Sequence, residues 1–286
     1  MVVPRYILLV LMVALSLGAC REVRIKEHQE WETIFKSYGI NNACFMLKDN
    51  NHESVHYYNK QRSITRFPPA STCKVFLSLA ALESAVAPDD QLIIKWDSVV
   101  RRPEENKDMN MREALKVSSN PYFEELARRI GKVRLQHYLD TIKYGNMKIG
   151  NAVDKFWVDT SLLISADEQL GFMKRLYFNE LPLSERSQRI VRSMMLIEDA
   201  ADHRLYYKTG TCNVGDKTIR WVSGFAERIM HVKEPAGSMN KSDLRNYPYF
   251  FSMNFELSQA DSSKDWSNVR IAIVHKILKD YGALAE

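Results

Sequence analysis

An α+β fold is what the residue patterning predicts, with an antiparallel sheet drawn from both ends of the chain and a mainly helical region inserted between. Three observations carry it. Alternating apolar stretches occur at residues 43–59 and return only beyond Ala200, helix signals crowd the interval between them, and the last stretch is again helical. With 286 residues and 45% hydrophobic side chains the chain can bury a sizeable core. No linker rich in Pro, Gly or Ser cuts it, so one domain is expected over residues 21–286, with 21–40 partly a tether.

The first twenty residues read as an export signal: Arg5 precedes an apolar run from Tyr6 to Leu17, too short to span a bilayer, and small residues lead to Cys20. Leu17–Cys20, LGAC, resembles the bacterial lipobox. That resemblance implies cleavage before Cys20, lipidation of its thiol and an exported, membrane-tethered domain on the periplasmic side. Arg21 in place of aspartate directs it to the outer membrane of a Gram-negative cell.

In chain order, Ala43–Asp49 and Glu53–Asn59 read as a hairpin, and Thr72–Val86 as a buried helix stopped by Pro88. Helices follow at Met111–Val117, at Pro121–Ile130 with proline in its first turn, and at Val133–Ile142. Ser165 and Glu168 have capping-box spacing and open a helix towards Tyr177; another follows Ser184. Aromatic and β-branched stretches beginning at His203, Ile219 and Pro248 read as strands, and Ser267–Gly282 closes the chain as a helix.

The charge is +5, from 40 basic and 35 acidic residues without a basic stripe, so no nucleic-acid partner is expected. Cys44, Cys73 and Cys212 lack the spacing of metal ligands, so no metal is expected, and they permit at most one disulfide. Oligomeric state cannot be read.

Three strings carry chemistry. In the first, Ser71 and Lys74 stand three apart, so on a helix their β-carbons lie about 5 to 6 Å from each other. A serine hydroxyl needs a base to become nucleophilic, and burial among apolar residues is what would keep Lys74 neutral enough to serve. The same spacing recurs at Ser238–Lys241, in a loop context, which shows that it is weak evidence alone. The second string holds Ser118 and Asn120 between two helices. The third, at the end of a strand, holds Lys208, Thr209 and Gly210: a cation, a hydroxyl and a residue that lets a ligand lie against the backbone. Each has an ordinary structural use, as a cap or a surface charge; the order of the three outweighs any one.

With PASTCK, IKWD (Ile94–Asp97), YGN (Tyr144–Asn146), DKFW (Asp154–Trp157), RLYFNELPLS (Arg175–Ser184) and KTGT in sequence, the chain resembles the penicillin-recognising serine acyltransferases, and among them the class D serine β-lactamases. The resemblance covers roughly Ile64 to Leu278. It implies the β-lactamase/transpeptidase-like fold for residues 21–286 and hydrolysis of a small β-lactam through an acyl-enzyme on Ser71. It also implies that Lys74 is carboxylated by carbon dioxide, the only cofactor, and acts as general base, with Trp157 hydrogen-bonding the carbamate. Ser118 would relay a proton to the leaving nitrogen, with Lys208 stabilising charge nearby. The backbone N–H groups of Ser71 and Thr211 would form the oxyanion hole, Thr209 and Arg270 would hold the substrate carboxylate, and Asn120 and Gly210 would also line the bound substrate.

Asn120 departs from the family, which has an apolar valine there. An amide at that position is found in penicillin-binding proteins, where it contacts substrate and the catalytic lysine. Two alternatives therefore stand beside hydrolysis: a D,D-transpeptidase or carboxypeptidase, and a β-lactam sensor that stays acylated.

Overall fold

Strands come from both ends of the chain. Before the helical insertion lie β1 (Arg24–Glu27), β2 (Ala43–Asp49) and β3 (Ser54–Tyr58); after it lie β4 (Leu196–Asp199), β5 (His203–Val214), β6 (Lys217–Val232) and β7 (Asp243–Ser258). The computed structural model describes residues 24–232, 243–261 and 263–285, so the leader with Cys20 and the Ser238–Lys241 string fall outside the described residues. The strands form one seven-stranded sheet in the order β1-β3-β2-β7-β6-β5-β4. β2 joins the halves by pairing antiparallel with β7, Ala43 opposite Phe255.

Two expectations are corrected here. The sheet is mixed, because β1 runs parallel to β3 with Arg24 opposite Ser54. Residues 24–27, expected in the tether, are that edge strand. All four are exposed and charged or apolar without pattern, so only their backbone pairing makes them a strand, and composition cannot register it.

Period-two alternation sends neighbouring side chains to opposite faces. Phe45, Leu47, Val222 and Phe251 pack with α1 (Trp31–Ser37) and the closing helix α9 (Trp266–Tyr281), while Met46, Phe225 and Phe250 face the insertion. The insertion comprises α2 (Lys60–Ile64), α3 (Lys74–Glu83), α4 (Met111–Val117), α5 (Asn120–Ile130), α6 (Lys132–Ile142), α7 (Ala166–Tyr177) and α8 (Glu185–Met194). The expected capping box is present at α7: Ser165 Oγ accepts from Glu168 N–H at 3.1 Å and Glu168 accepts from Ser165 N–H at 2.9 Å.

The helix expected from Thr72 divides. Ala70–Cys73 is a 3₁₀ turn, and α3 proper runs from Lys74 to Glu83, buried from Lys74 to Leu82. Each Leu or Phe buried there contributes about 2 kcal/mol. Cys44, Cys73 and Cys212 are free thiols, all buried; Cys73 packs in the helical core, whereas Cys44 and Cys212 sit with Ala70 and Trp221 under the 3₁₀ turn.

Candidate active site

From Pro68 to Leu82 every residue is buried except Ser71, which is half-buried. Four bonds fix the turn that presents it. The Pro68 carbonyl accepts from Trp221 Nε1 at 2.9 Å, Ala70 N–H donates to the Trp157 carbonyl at 2.9 Å, and Thr72 Oγ1 donates to the Pro69 carbonyl at 2.6 Å while accepting from Gln169 Nε2 at 2.7 Å. Ala70 adopts the left-handed region, φ +50°. The 3₁₀ turn ends at Cys73, so Ser71 lies in the turn and Lys74 opens the α-helix that follows it.

Ser118 ends α4 with a left-handed backbone, φ +59°. The cap of α5 is its neighbour Ser119, whose hydroxyl accepts from Tyr122 N–H, so the Ser118 side chain is left to the cleft. Lys74 Nζ donates to the Ser118 carbonyl and to Asn120 Oδ1, each at 2.7 Å, and lies 3.3 Å from Ser118 Oγ. Lys208 Nζ reaches the same hydroxyl from the sheet, at 2.9 Å. The first two sequence-predicted strings and the third thus meet at Ser118.

The KTG string lies on an open sheet edge. β4 pairs with β5 only at Arg204, Leu205 and Tyr206, and among the described residues no strand lies beyond β5 after that; the Ser71 turn packs there instead. Gly210 makes the approach feasible: a Cβ on it would stand 2.9 Å from the Pro69 carbonyl oxygen and 3.3 Å from Ser71 N. Ser71 N therefore lies beside Gly210, next to the exposed Thr211.

Arg270, on α9, donates to the Gly210 carbonyl at 3.0 Å and to Thr211 Oγ1 at 3.1 Å, and its buried Nε has no partner. Burial, then the charge of Arg220, pushes its pKa down to about 10, which leaves it cationic at neutral pH. Burial lowers Lys74 to about 7, against an opposing pull from Glu105. Burial likewise drives Lys208 well below the ordinary lysine range, and the charge of Lys74 adds to the fall. Two amines on one hydroxyl titrate as a pair, and both charged at once is the disfavoured state.

Trp157 is buried, 2% exposed, and its carbonyl anchors Ala70. The YGN segment holds its loop in place: Asn146 Nδ2 donates to the Ser161 carbonyl at 2.8 Å, and Asn146 Oδ1 accepts from Leu163 N–H at 3.0 Å. Gly145 there has φ +57°, and a Cβ would lie 2.2 Å from the Leu163 carbonyl oxygen. As for a carbamate on Lys74, the Ser118 carbonyl and Asn120 Oδ1, which lie nearest Nζ, accept from an amine or ammonium, and the Ser118 hydroxyl, 3.3 Å away, is the neighbour that could donate to an anion.

Sequence reasoning missed four residues: Gln169, which holds Thr72; Arg220, beside Arg270; and Arg102 with Glu105, behind the Ser118–Asn120 junction. Each acts across a long separation or a loop, where periodicity carries no signal.

Residues 41–240 match the family model of the penicillin binding protein transpeptidase domain. The chain is 34% identical over 258 residues to Beta-lactamase OXA-48 of Klebsiella pneumoniae, covering 89% of this chain and 88% of the relative. A class D β-lactamase from Sebaldella termitidis superposes with TM-score 0.82 at 28% identity, covering 92% of this chain and all of that one. The C-terminal domain of the Bacillus licheniformis BlaR penicillin-receptor superposes with TM-score 0.77 at 28% identity, covering 92% of this chain and 98% of that one. By the family model, the identity over most of both chains and the superposition, the chain belongs to the class D serine β-lactamases, within the penicillin-binding transpeptidase family.

Proposed function

We propose that the protein hydrolyses β-lactams through an acyl-enzyme on Ser71. The observation that carries this is the meeting of Lys74 and Lys208 on Ser118, beside the one accessible residue of a buried turn. Neutral Lys74 takes the Ser71 hydroxyl proton as Ser71 Oγ bonds to the lactam carbonyl carbon. The oxyanion forms at the Ser71 and Thr211 N–H groups. As the ring C–N bond breaks, the nitrogen takes a proton from Ser118 Oγ, which is resupplied with the proton that Lys74 took from Ser71, while Lys208 stabilises charge nearby. Water then attacks the ester, giving a proton to the again neutral Lys74, which passes it to Ser71 Oγ as the acyl C–O bond breaks.

The substrate carboxylate is gripped by Thr209 and by Arg270 through the Gly210–Thr211 edge; its charge would also favour protonation of Lys208, offsetting the cost of burying that amine. Carboxylation of Lys74 is what the family resemblance implies, and the dry, lowered amine is the form that reacts with carbon dioxide. The acceptors around Nζ favour the free amine as the working base, so no step is drawn through a carbamate.

The Asn120 contact favours a second reading. An amide that holds Lys74 Nζ at 2.7 Å competes with its use on deacylating water, which would leave the acyl-enzyme standing, as in a penicillin receptor. Following a chromogenic cephalosporin past one equivalent, with and without bicarbonate, separates the two. Sustained turnover supports hydrolysis; a single stoichiometric burst would overturn it in favour of the receptor reading.

Export and lipid anchoring at Cys20 belong to the same proposal. Among the described residues no helix is long and apolar enough to cross a membrane. Cys20→Ala should move the protein from the membrane fraction to the soluble periplasmic fraction; unchanged partition would refute the anchor.

A further inference from the structure

Behind the Ser118–Asn120 junction stands the 3₁₀ turn Pro103–Glu105. Glu105 is only 4% exposed, and its two oxygens are divided. Oε1 accepts the backbone N–H of Asn120 at 2.9 Å, and Oε2 accepts Arg102 Nε at 3.0 Å. Arg102 in turn donates from Nη2 to the Val117 carbonyl at 3.1 Å. The pair thus grips the chain immediately before Ser118 and two residues after it.

Two physical needs are met by this grip. Ser118 carries a side chain in the left-handed region, φ +59°, a conformation that persists only when its surroundings hold it. The Asn120 N–H belongs to the first turn of α5, where no intrahelical carbonyl is available and where the helix dipole favours an anion. Burial pushes the Glu105 carboxyl up, but the bonds from Arg102 and Asn120 and the nearby cations outweigh it, so it sits below its ordinary value and is ionised at neutral pH.

We propose that Arg102 and Glu105 are positioning residues for acyl transfer, clamping Ser118 and Asn120 against Lys74 and setting the electrostatic field at its amine. The inference rests on the acyl-transfer reading above and adds to it a pair of opposite charges outside the motifs. The charged and titratable groups facing Lys74 are Glu105 and Arg102 from this turn, Glu124 from α5, Cys73 from its own turn and Lys208 from β5. After burial, Glu105 is the largest influence and opposes the lowering; Arg102 is next and reinforces it.

The signs make the test. Removing the carboxylate lets the Lys74 amine fall further, so the acid limb of acylation moves to lower pH. Removing the guanidinium raises the amine and moves the limb to higher pH. A helix cap with no electrostatic role would move neither.

The experiment measures the rate of covalent labelling of the mature chain by a fluorescent penicillin between about pH 5 and pH 9, a range that brackets such a base. Glu105→Gln keeps an acceptor for the Asn120 N–H. Its limb should shift down by about half a unit or more, and that of Arg102→Gln should shift up by a smaller, still measurable amount, because the Arg102 side chain is half exposed and its charge is screened by water. Limbs that coincide with the parent's, or that move in the same direction, would overturn the proposal. Should one variant not fold, the direction of the other decides. A parent chain that takes no label on Ser71 would overturn the acyl-transfer reading itself, and this inference with it.

Discussion

At the β5 edge of the sheet, Lys74 and Lys208 converge on Ser118. At the β1 edge, His28 Nε2 lies 2.8 Å from His56 Nδ1, and His56 Nε2 lies 2.8 Å from both Ser54 Oγ and the Tyr281 hydroxyl, which reaches Asp49 at 3.2 Å. Both clusters are buried and both have displaced protonation equilibria: Lys74 falls to about 7, and His56, through burial and then the charge of His28, falls to about 4. The histidine network is bonded along its length, and its outer nitrogen, His28 Nδ1, meets the exposed Glu30 carboxylate at 2.6 Å. Its partners are used up in tying β1, β3 and α9 together, whereas the lysine cluster borders a half-buried serine, an edge strand and an arginine with an unpartnered nitrogen. A shifted ionisation therefore marks a buried polar network of either kind, and what separates a working site from a structural latch is a nucleophile left accessible beside it.

Ser71→Ala strikes the difference hardest. Chromogenic cephalosporin turnover should drop by about a thousandfold or more, with no acyl adduct by mass spectrometry and an unchanged Tm. A retained adduct would place the nucleophile elsewhere.

Asn120→Val asks whether the lysine cluster can be made drier. We expect bicarbonate-dependent turnover to rise about tenfold, in line with one lost buried contact to the amine; an unaltered bicarbonate response would refute the assigned role of Asn120.

Gly210→Ala tests the close packing of the β5 edge on the Ser71 turn. The added methyl collides with the Pro69 carbonyl oxygen at 2.9 Å, so a loss of about 1 to 3 kcal/mol in stability is expected, together with slower acylation. Wild-type denaturation and acylation in this variant would mean that the edge is looser than its contacts imply.

His56→Gln gives the smallest effect and addresses the other edge. His56 is neutral in the fold down to about 4 but takes a proton near its ordinary value of 6.5 once unfolded. Between those values the unfolded chain binds more protons, so stability falls as pH drops through the window. The variant should flatten the dependence of Tm on pH there and leave turnover at neutral pH unaltered. An unflattened profile would show that the histidine pair does not govern acid sensitivity.

What the sequence made legible follows from how local each signal is. The Ser165–Glu168 box and the limits of Met111–Val117 are set within a few residues, and the structure has them where the spacing places them. The meeting of Lys74, Ser118 and Lys208 was legible only through motif order, since nothing local links a helix start, a helix junction and a strand. That Ser119 and not Ser118 caps α5 depends on the left-handed turn between them, which side-chain identity does not encode. β1 and Glu105 were invisible for the same reason: the partner of β1 lies thirty residues on, Arg24 opposite Ser54, and Glu105 meets Asn120 across a loop.

The Ala70 backbone, at φ +50° with a methyl that abuts Gly210, has one more implication. A non-glycine residue in that region forfeits about 1 kcal/mol or more, and the forfeit recurs every time the chain folds. Rearranging the turn would recover it only by withdrawing the hydroxyl of the next residue from solvent. Heat tolerance and reactivity are therefore antagonists at this point in the chain, and variants selected for thermal endurance alone should drift away from this turn before they disturb the rest of the fold.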